Sequence, residues 1–587
     1  MRLPATRLGL LSLILTFDMI VAAPAFAASP QPVKAEHGMV VTAQHLATDA
    51  GVAVLKSGGN AIDAAVAVGY TLAVVYPTAG NIGGGGFMMI YLAKDKRVIT
   101  IDHRETAPAA FTPTVFQANG KEMAFDPVVA SGLSVGVPGT VRGWDEALTR
   151  YGTMAFKQVL APAIRLAGQG FTADKKFNEF VVDNTAKFRL FSSTSALYLK
   201  GGKAPEPGAM FRNPDLAKAY RALASGGARA FYSGKMAQAI VDASAHPPMS
   251  KGNSVVGGKI TLADLANYEA RIRLPVHSTY RGYDLYGMAL PSSGGIAVAE
   301  ALNILEGYDL KSMPPDKVEH LYLEASRLAF ADRNAYLADP EYVDAPVPGL
   351  LSKEFANRRR EQISLSRAAG PAAAGDPYLF QHDPSTPQRP SANRLLAESA
   401  HTTHLTVSDK DGNIVSYTYT IESWGGSGIV VPGYGFILNN EMTDFDFSGP
   451  RPNVPEAGKR PRSSMAPTLA FRNGKPAFSI GSPGGATIIT TVLQTIVNYV
   501  DLGMPMEQAI AAPRLSERNG DNIDVEPGFP GSAQAQALEQ YGHQWSTAAE
   551  EIGAANALVF NPDGSVSAVS ESARHGIGSA LVQKSAH

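Results

Sequence analysis

The run from His401 to Glu422, His-Thr-Thr-His-Leu-Thr-Val-Ser-Asp-Lys-Asp-Gly-Asn-Ile-Val-Ser-Tyr-Thr-Tyr-Thr-Ile-Glu, alternates hydroxyl and apolar side chains on both sides of Asp411-Gly412. Alternation about an Asp-Gly turn predicts a β-hairpin. With a two- or three-residue turn, Thr402 falls opposite position 420 or 421, and Thr418, Thr420 and Glu422 share one face. A threonine hydroxyl attacks a carbonyl only when a base takes its proton. A chain that begins at threonine supplies that base as its own α-amino group, with an ordinary pKa of about 8. At Thr402 this chemistry requires a cut between His401 and Thr402. Taken alone, a row of threonines on a hairpin is also what strand propensity selects.

The surrounding pattern is one of strands and helices. Helices are expected near Thr42–Lys56 and Ala61–Tyr76, then a hairpin over Phe87–Ala93 and Val98–Arg104. The middle, from about Pro138 to Arg360, is mostly helical in pattern, and Val318–Leu337 is its longest segment. From Ala368 to Pro390 the composition turns to Pro, Ala, Gly and Ser, which predicts a flexible segment just before the Thr402 hairpin. Beyond it, Pro467–Phe471 and Pro476–Ile480 flank the turn Arg472-Asn473-Gly474, and Ala486–Val500 reads as a helix. A last hairpin pairs Ala557–Phe560 with Ser565–Ser570. Gly484-Gly485 thus sit between a strand and a helix, where small residues expose backbone N–H groups able to hold an oxyanion; a tight turn is the plainer reading.

Thr402, Thr403, His404, Gly412, Asn413, Thr418, Thr420 and Glu422 resemble the small-subunit signature of the γ-glutamyltranspeptidases. The resemblance continues in Gly83 to Phe87, Asp102-His103-Arg104-Glu105, Gly136-Val137-Pro138-Gly139 and Pro291-Ser292-Ser293-Gly294-Gly295. It runs on through Asn439 to Asp444, Lys459 to Met465 and Gly481 to Gly485, in family order along nearly the whole chain. It implies the α-β-β-α sandwich of the N-terminal nucleophile hydrolases, built from a large part (residues 28–401) and a small part (402–587) of one precursor. It also implies that Thr402 makes the cut at His401 and is then the nucleophile, oriented by Thr420, with Gly484 and Gly485 stabilising the oxyanion. A γ-glutamyl group carries a carboxylate and an ammonium. Arg104, helped by Ser463 and Ser464, is expected to grip the first. Glu422, Glu441 and Asp444 are expected to surround the second. The implied donors are glutathione, glutamine and similar compounds, and the implied acceptors are water, amino acids or peptides. Trp424 stands where Phe or Tyr is expected, Glu422 where the best-known members have Asn, and Ala486-Thr487 where Ser-Arg is common. The segment from Phe445 to Gly458 is shorter than the corresponding lid, which would leave the pocket open to bulky γ-substituents.

Composition bounds the alternatives. The chain has 587 residues, 45% hydrophobic and 18% charged, so it can bury a large core. A net charge of −2 gives no basic footprint for nucleic acid, and Arg358-Arg359-Arg360 reads as solvated helix surface. There is no cysteine, hence no disulfide and no thiol nucleophile, and the 12 histidines show no metal-ligand spacing; no metal or organic cofactor is expected. Residues 1–27 read as a signal peptide, with Arg2 and Arg7, an apolar stretch and Ala25-Phe26-Ala27, which predicts a periplasmic or secreted protein. Ala61 to Val75 contains Asp63 and is too short to span a bilayer. Two rivals stand beside the transferase reading. One is an acylase for glutaryl or cephalosporin side chains, disfavoured by the acids that would face an ammonium. The other is a periplasmic amino-acid-binding protein without catalysis, which would have no reason to split.

Overall fold

Two seven-stranded antiparallel sheets face each other at the centre of the molecule. The computed structural model describes residues 32–36, 38–381, 402–547, 550–571, 574 and 578–582. The signal segment 1–27 and His401 lie outside them. One sheet runs in the order Ser579–Val582, Met39–Thr42, Thr403–Ser408, Ile414–Thr420, Gly85–Leu92, Arg97–Asp102, Arg271–Arg273. The other runs Val33–Ala35, Val566–Ser570, Asn556–Phe560, Lys475–Gly481, Thr468–Arg472, Tyr283–Gly287, Val276–Tyr280. Each sheet contains strands from both before and after residue 402.

Helices cover both outer faces, completing the α-β-β-α sandwich. His45–Lys56 and Ala61–Val75 lie on the first sheet. Asn60 caps the second of these by accepting from the Ile62 and Asp63 backbone N–H groups, while Asp63 returns a bond to the Asn60 N–H. Every residue of that helix is buried, which suits a helix between a sheet and further helices. Gly294–Leu305, Pro315–Tyr336 and Thr487–Val500 cover the second sheet with an apolar layer that includes Leu302, Leu328 and Leu493.

Four sequence expectations need correction. Met39–Thr42 is a strand, and its helix begins only at His45, where the Gln44 side chain accepts from the Leu46 N–H. The largely helical middle also contributes three strands, Arg271–Arg273, Val276–Tyr280 and Tyr283–Gly287, which extend the two sheets. Arg358-Arg359-Arg360 is not a solvated face. Arg359 is buried against Asp332 at 2.8 Å, and Arg360 donates to the Ile304 and Asn303 carbonyls; Arg358 alone is open to solvent. The described part of the Pro/Gly-rich segment, residues 368–381, is tied down. The Ala368 N–H donates to the Tyr541 carbonyl, the Gly375 N–H to Asp332, and Asn519 bonds both the N–H and the carbonyl of Ala372.

Candidate active site

Thr403 pairs with Tyr419 and Ser408 with Ile414, so Thr402 stands opposite Thr420. The turn is closed by Asp409, which accepts from the Asp411 and Asn413 N–H groups, while Gly412 takes φ +84°. One face of the hairpin, with Leu405, Val407, Val415, Tyr417 and Tyr419, packs into the apolar layer beneath the helices. The other face carries Thr402, His404, Thr406, Thr418 and Thr420 between the sheets, and there polar groups bond each other. Thr406 meets Ser479 of the opposite sheet at 2.8 Å, and His404 Nδ1 lies 2.8 Å from the Thr418 hydroxyl. Burial pushes the His404 imidazole down to about 3, so it is neutral. The Thr402 hydroxyl donates to Thr420 Oγ1 at 3.3 Å, and the same oxygen accepts from the Glu422 N–H at 2.9 Å. Glycines allow the close approach behind this pair: a Cβ on Gly84 would lie 1.9 Å from the Thr420 carbonyl oxygen.

Thr402 opens into a cleft. Thr420, Glu422, Gly485 and Ile488 line it beside Thr402, and Arg104, Glu441, Asp444, Ser463, Ser464 and Met465 line the remainder. Arg104 follows the strand Arg97–Asp102. Its N–H donates to Asp102, its carbonyl accepts from the Tyr268 hydroxyl, and its Nε donates to the Pro461 carbonyl at 3.2 Å. Its terminal nitrogens are in direct contact with Glu441 and Asp444. The expectation of one cation and three acids reading opposite ends of a ligand therefore needs a qualification: in the unliganded protein Arg104 and two of those acids bond one another. Burial alone would lower the Arg104 guanidinium, but Glu441, Asp444 and Glu105 outweigh it and raise it. Glu105 is fully buried beside Glu441, and burial pushes it up to about 8 despite Arg104. Glu441 is raised well above the ordinary range by the same burial and by the neighbouring charges of Glu105 and Asp444, against the pull of Arg104. Glu422 is pushed up to about 8 by burial and by the charges of Asp444 and Glu441, while its contact with Asn440 works the other way.

The serines sit on a cross-connection between two motifs. Ser293 and Ser292 donate to the Ser463 and Met465 carbonyls, and Ser463 returns its N–H to the Pro291 carbonyl at 2.9 Å. From behind, Arg333 bonds Ser293 at 2.8 Å and the Ser464 hydroxyl at 2.5 Å. Gly484 and Gly485, at φ +136° and +53°, follow the strand Lys475–Gly481 after Ser482-Pro483 and lead into Thr487–Val500. Gly485 lines the cleft, whereas Gly484 stands one step behind it, its carbonyl accepting from the Thr487 hydroxyl.

Arg333 and Lys187 escape a sequence-only search, as single charged residues with partners far away in the chain. Glu105 and Asn439 fall inside the motif blocks, but the sequence assigns them no role at the cleft. Asn439 knits the glycine motifs to the acids by donating to the Gly83 and Gly136 carbonyls and accepting from the Gly136 and Glu441 N–H groups. His103 simply packs, buried against Tyr417 with Gly143 beneath its ring. Folding also gathers His320, Glu324 and His543, whose ligand atoms lie within 4.8 Å of one another. The two rings hydrogen-bond each other at 2.8 Å, Glu324 is taken by Arg327, and none of the three lines the Thr402 cleft.

Comparison with known proteins is consistent along the whole chain. The family model described as gamma-glutamyltranspeptidase matches residues 47–581. The glutathione hydrolase proenzyme of Bacillus subtilis (strain 168) is 40% identical over 545 residues, 92% of this chain and 90% of that protein. The acylase ACY 1 proenzyme of Pseudomonas sp. (strain SE83) is 38% identical over 549 residues, 92% of this chain and 93% of that one. Among solved structures, a cephalosporin acylase from Bacillus halodurans superposes with a TM-score of 0.84 at 28% identity, covering 97% of this chain and 100% of its own. Matches of this length and identity, on an α-β-β-α sandwich with a threonine pair at its open end, make the chain a member of the gamma-glutamyltranspeptidase family.

Proposed function

We propose that this enzyme transfers the γ-glutamyl group of glutathione, glutamine and similar donors to water or to the amine of an amino acid or peptide, after splitting itself between His401 and Thr402. The observation that carries the reading is the cleft itself: a threonine hydroxyl held by a second threonine, with a glycine turn on one side and a guanidinium among carboxyls on the other. In the precursor, the Thr402 hydroxyl attacks the preceding carbonyl and the resulting ester is opened by water, leaving chains of residues 28–401 and 402–587. The freed α-amino group of Thr402 then takes the hydroxyl proton as Oγ1 attacks the γ-carbonyl of the donor. Thr420 orients that hydroxyl, and backbone N–H groups at Gly484 and Gly485 receive the oxyanion. Collapse expels the amine and leaves a γ-glutamyl ester on Thr402, which water or an acceptor amine resolves. Arg104, Ser463 and Ser464 hold the donor carboxylate, and Glu422, Glu441 and Asp444 hold its ammonium. Residues 1–27 direct the precursor to the periplasm or outside the cell.

A glutaryl or cephalosporin acylase is the second reading, favoured by the acylase likenesses and by the contacts that already occupy Glu441 and Asp444. One assay separates the two. Purified protein is checked by intact mass for the split, then given γ-glutamyl and glutaryl anilides, with and without glycylglycine. The transferase reading expects γ-glutamyl turnover stimulated by glycylglycine; preferential glutaryl turnover with no such stimulation overturns it.

A further inference from the structure

Glu422 is one of six described non-glycine residues with positive φ, at +76°, a backbone state that glutamate rarely adopts. Something must hold the chain there. The loop that follows, through Gly428, carries three more positive-φ residues, Gly425, Gly426 and Gly428, and lies flush on the short helix Thr185–Leu190 from the other half of the chain. Lys187 of that helix reaches into it. The half-buried Nζ donates to the Trp424 carbonyl at 2.5 Å and to the Gly426 carbonyl at 2.9 Å. Its stem runs over Gly428, where a Cβ would come within 2.8 Å of Lys187 Cγ. Thr194 secures the next stretch by donating to the Gly428 carbonyl at 2.6 Å, and the Trp424 ring stacks on Phe180 at 4.3 Å.

The lysine is also electrically coupled to Glu422. Burial lowers the Lys187 ammonium to about 8, and the charge of Glu422 works against that lowering. Coulombic coupling is mutual, so the ammonium favours the ionised form of Glu422. The other groups acting on Glu422 are Asp444 and Glu441, which disfavour its charge, and Ser423 and Asn440, which favour it, Asn440 through a direct bond to Oε2. Its Oε1 is buried without a hydrogen-bond partner among the described residues, at the wall of the Thr402 cleft.

We propose that Lys187 is a positioning residue for donor recognition: it fixes the turn that points Glu422 into the cleft, and it sets a cation against the loop that carries this carboxylate toward a substrate ammonium. Arg104 and Lys187 thus divide the pocket's counter-charge, one among Glu441 and Asp444, the other behind Glu422. The inference rests on the γ-glutamyl reading for its substrate and on the Trp424 and Gly426 contacts for its geometry.

The test compares Lys187→Met, Lys187→Arg and Glu422→Gln, singly and combined, on γ-glutamyl and glutaryl anilides across pH 5–9. Lys187→Met should raise KM for the γ-glutamyl donor about tenfold with little change in kcat, since one charge contact is worth about that factor. It should also move the acid limb of 1/KM to higher pH, because Glu422 then ionises later. Lys187→Arg should restore most of both, and in a Glu422→Gln background Lys187→Met should cost little more. An unmoved acid limb, or an equal KM loss with and without Glu422, overturns the electrostatic role. Should Lys187→Met fail to fold, the Lys187→Arg pH limb and its Trp424 emission decide the matter: wild-type values support the proposal, and a limb displaced despite the retained charge overturns it. If the wild-type protein prefers glutaryl donors, the γ-glutamyl reading fails by itself, which the wild-type assay shows before any variant is made.

Discussion

At the scale of single residues, the proposed roles divide the cleft into a threonine nucleophile, a glycine turn for the oxyanion and a charge cluster, and each can be tested alone. Thr402→Ala should remain a folded precursor with no turnover, read as one band on a denaturing gel; splitting at 401–402 in that variant would show that Thr402 is not the cutting agent. Asp444→Asn keeps shape and removes a charge in contact with Arg104. A charged hydrogen bond contributes about 1.5–3 kcal/mol, so kcat/KM for γ-glutamyl donors should fall by about one to two powers of ten, with a smaller loss for glutaryl donors. Arg104→Gln should impair both donor types, because both carry the distal carboxylate. Glu105 gives a stability signature. Its buried carboxyl, held up to about 8, keeps a proton that the unfolded chain releases at its ordinary value near 4.5. Between those values the folded state binds more protons, so stability falls as pH rises through the window. Thermal melts of Glu105→Gln should therefore show a shallower loss of Tm from pH 5 to 8 than the wild type, and identical slopes would refute the assignment.

At the scale of elements, the hairpin works because its two faces meet different partners. Tyr417 and Tyr419 enter an apolar layer, while Thr418 and Thr420 bond neighbours between the sheets. Exposure of the Thr402 hydroxyl to the cleft depends on that division, and on glycines that let the strand Gly85–Leu92 and the loop before it approach closely. Gly84→Ala puts a methyl 1.9 Å from the Thr420 carbonyl oxygen, which is backbone and cannot step aside. Overpacking of this kind costs about 1–3 kcal/mol. The expected outcome is a lowered Tm together with slowed self-cleavage in a pulse-chase of the precursor; normal processing would mean that the hairpin shifts as a unit.

At the scale of the whole molecule, both sheets are woven from the two sides of residue 402. Thr403–Ser408 and Ile414–Thr420 lie between Met39–Thr42 and Gly85–Leu92, and Tyr283–Gly287 pairs with Thr468–Arg472. A cut before Thr402 therefore breaks one bond and no layer. The two chains should co-elute on size exclusion, should separate only in denaturant, and should be inactive apart, since Arg104 and Thr402 come from different chains. Activity in an isolated 402–587 chain would contradict this.

Much of this was legible in the residues themselves. A period of two about Asp411-Gly412 set the hairpin and narrowed the partner of Thr402 to position 420 or 421, because side-chain alternation and a tight turn leave little freedom of register; the Thr403–Tyr419 pair decides for 420. The Asn473-Gly474 turn and the helix after Gly485 were equally local, and the ordered motif blocks pointed to the family and to most of the residues that line the cleft. What the tertiary structure alone decided are the contacts between elements far apart in sequence. Lys187 meets Trp424 from 237 residues away, Arg333 reaches Ser464 across 131, and His320 reaches His543 across 223. Arg359 reads as surface in a run of three arginines and is buried because Asp332 of a neighbouring helix receives it. Local pattern encodes periodicity and turn geometry; it carries no record of which charge a docked element will bring to meet another, and that pairing is set only when the layers close.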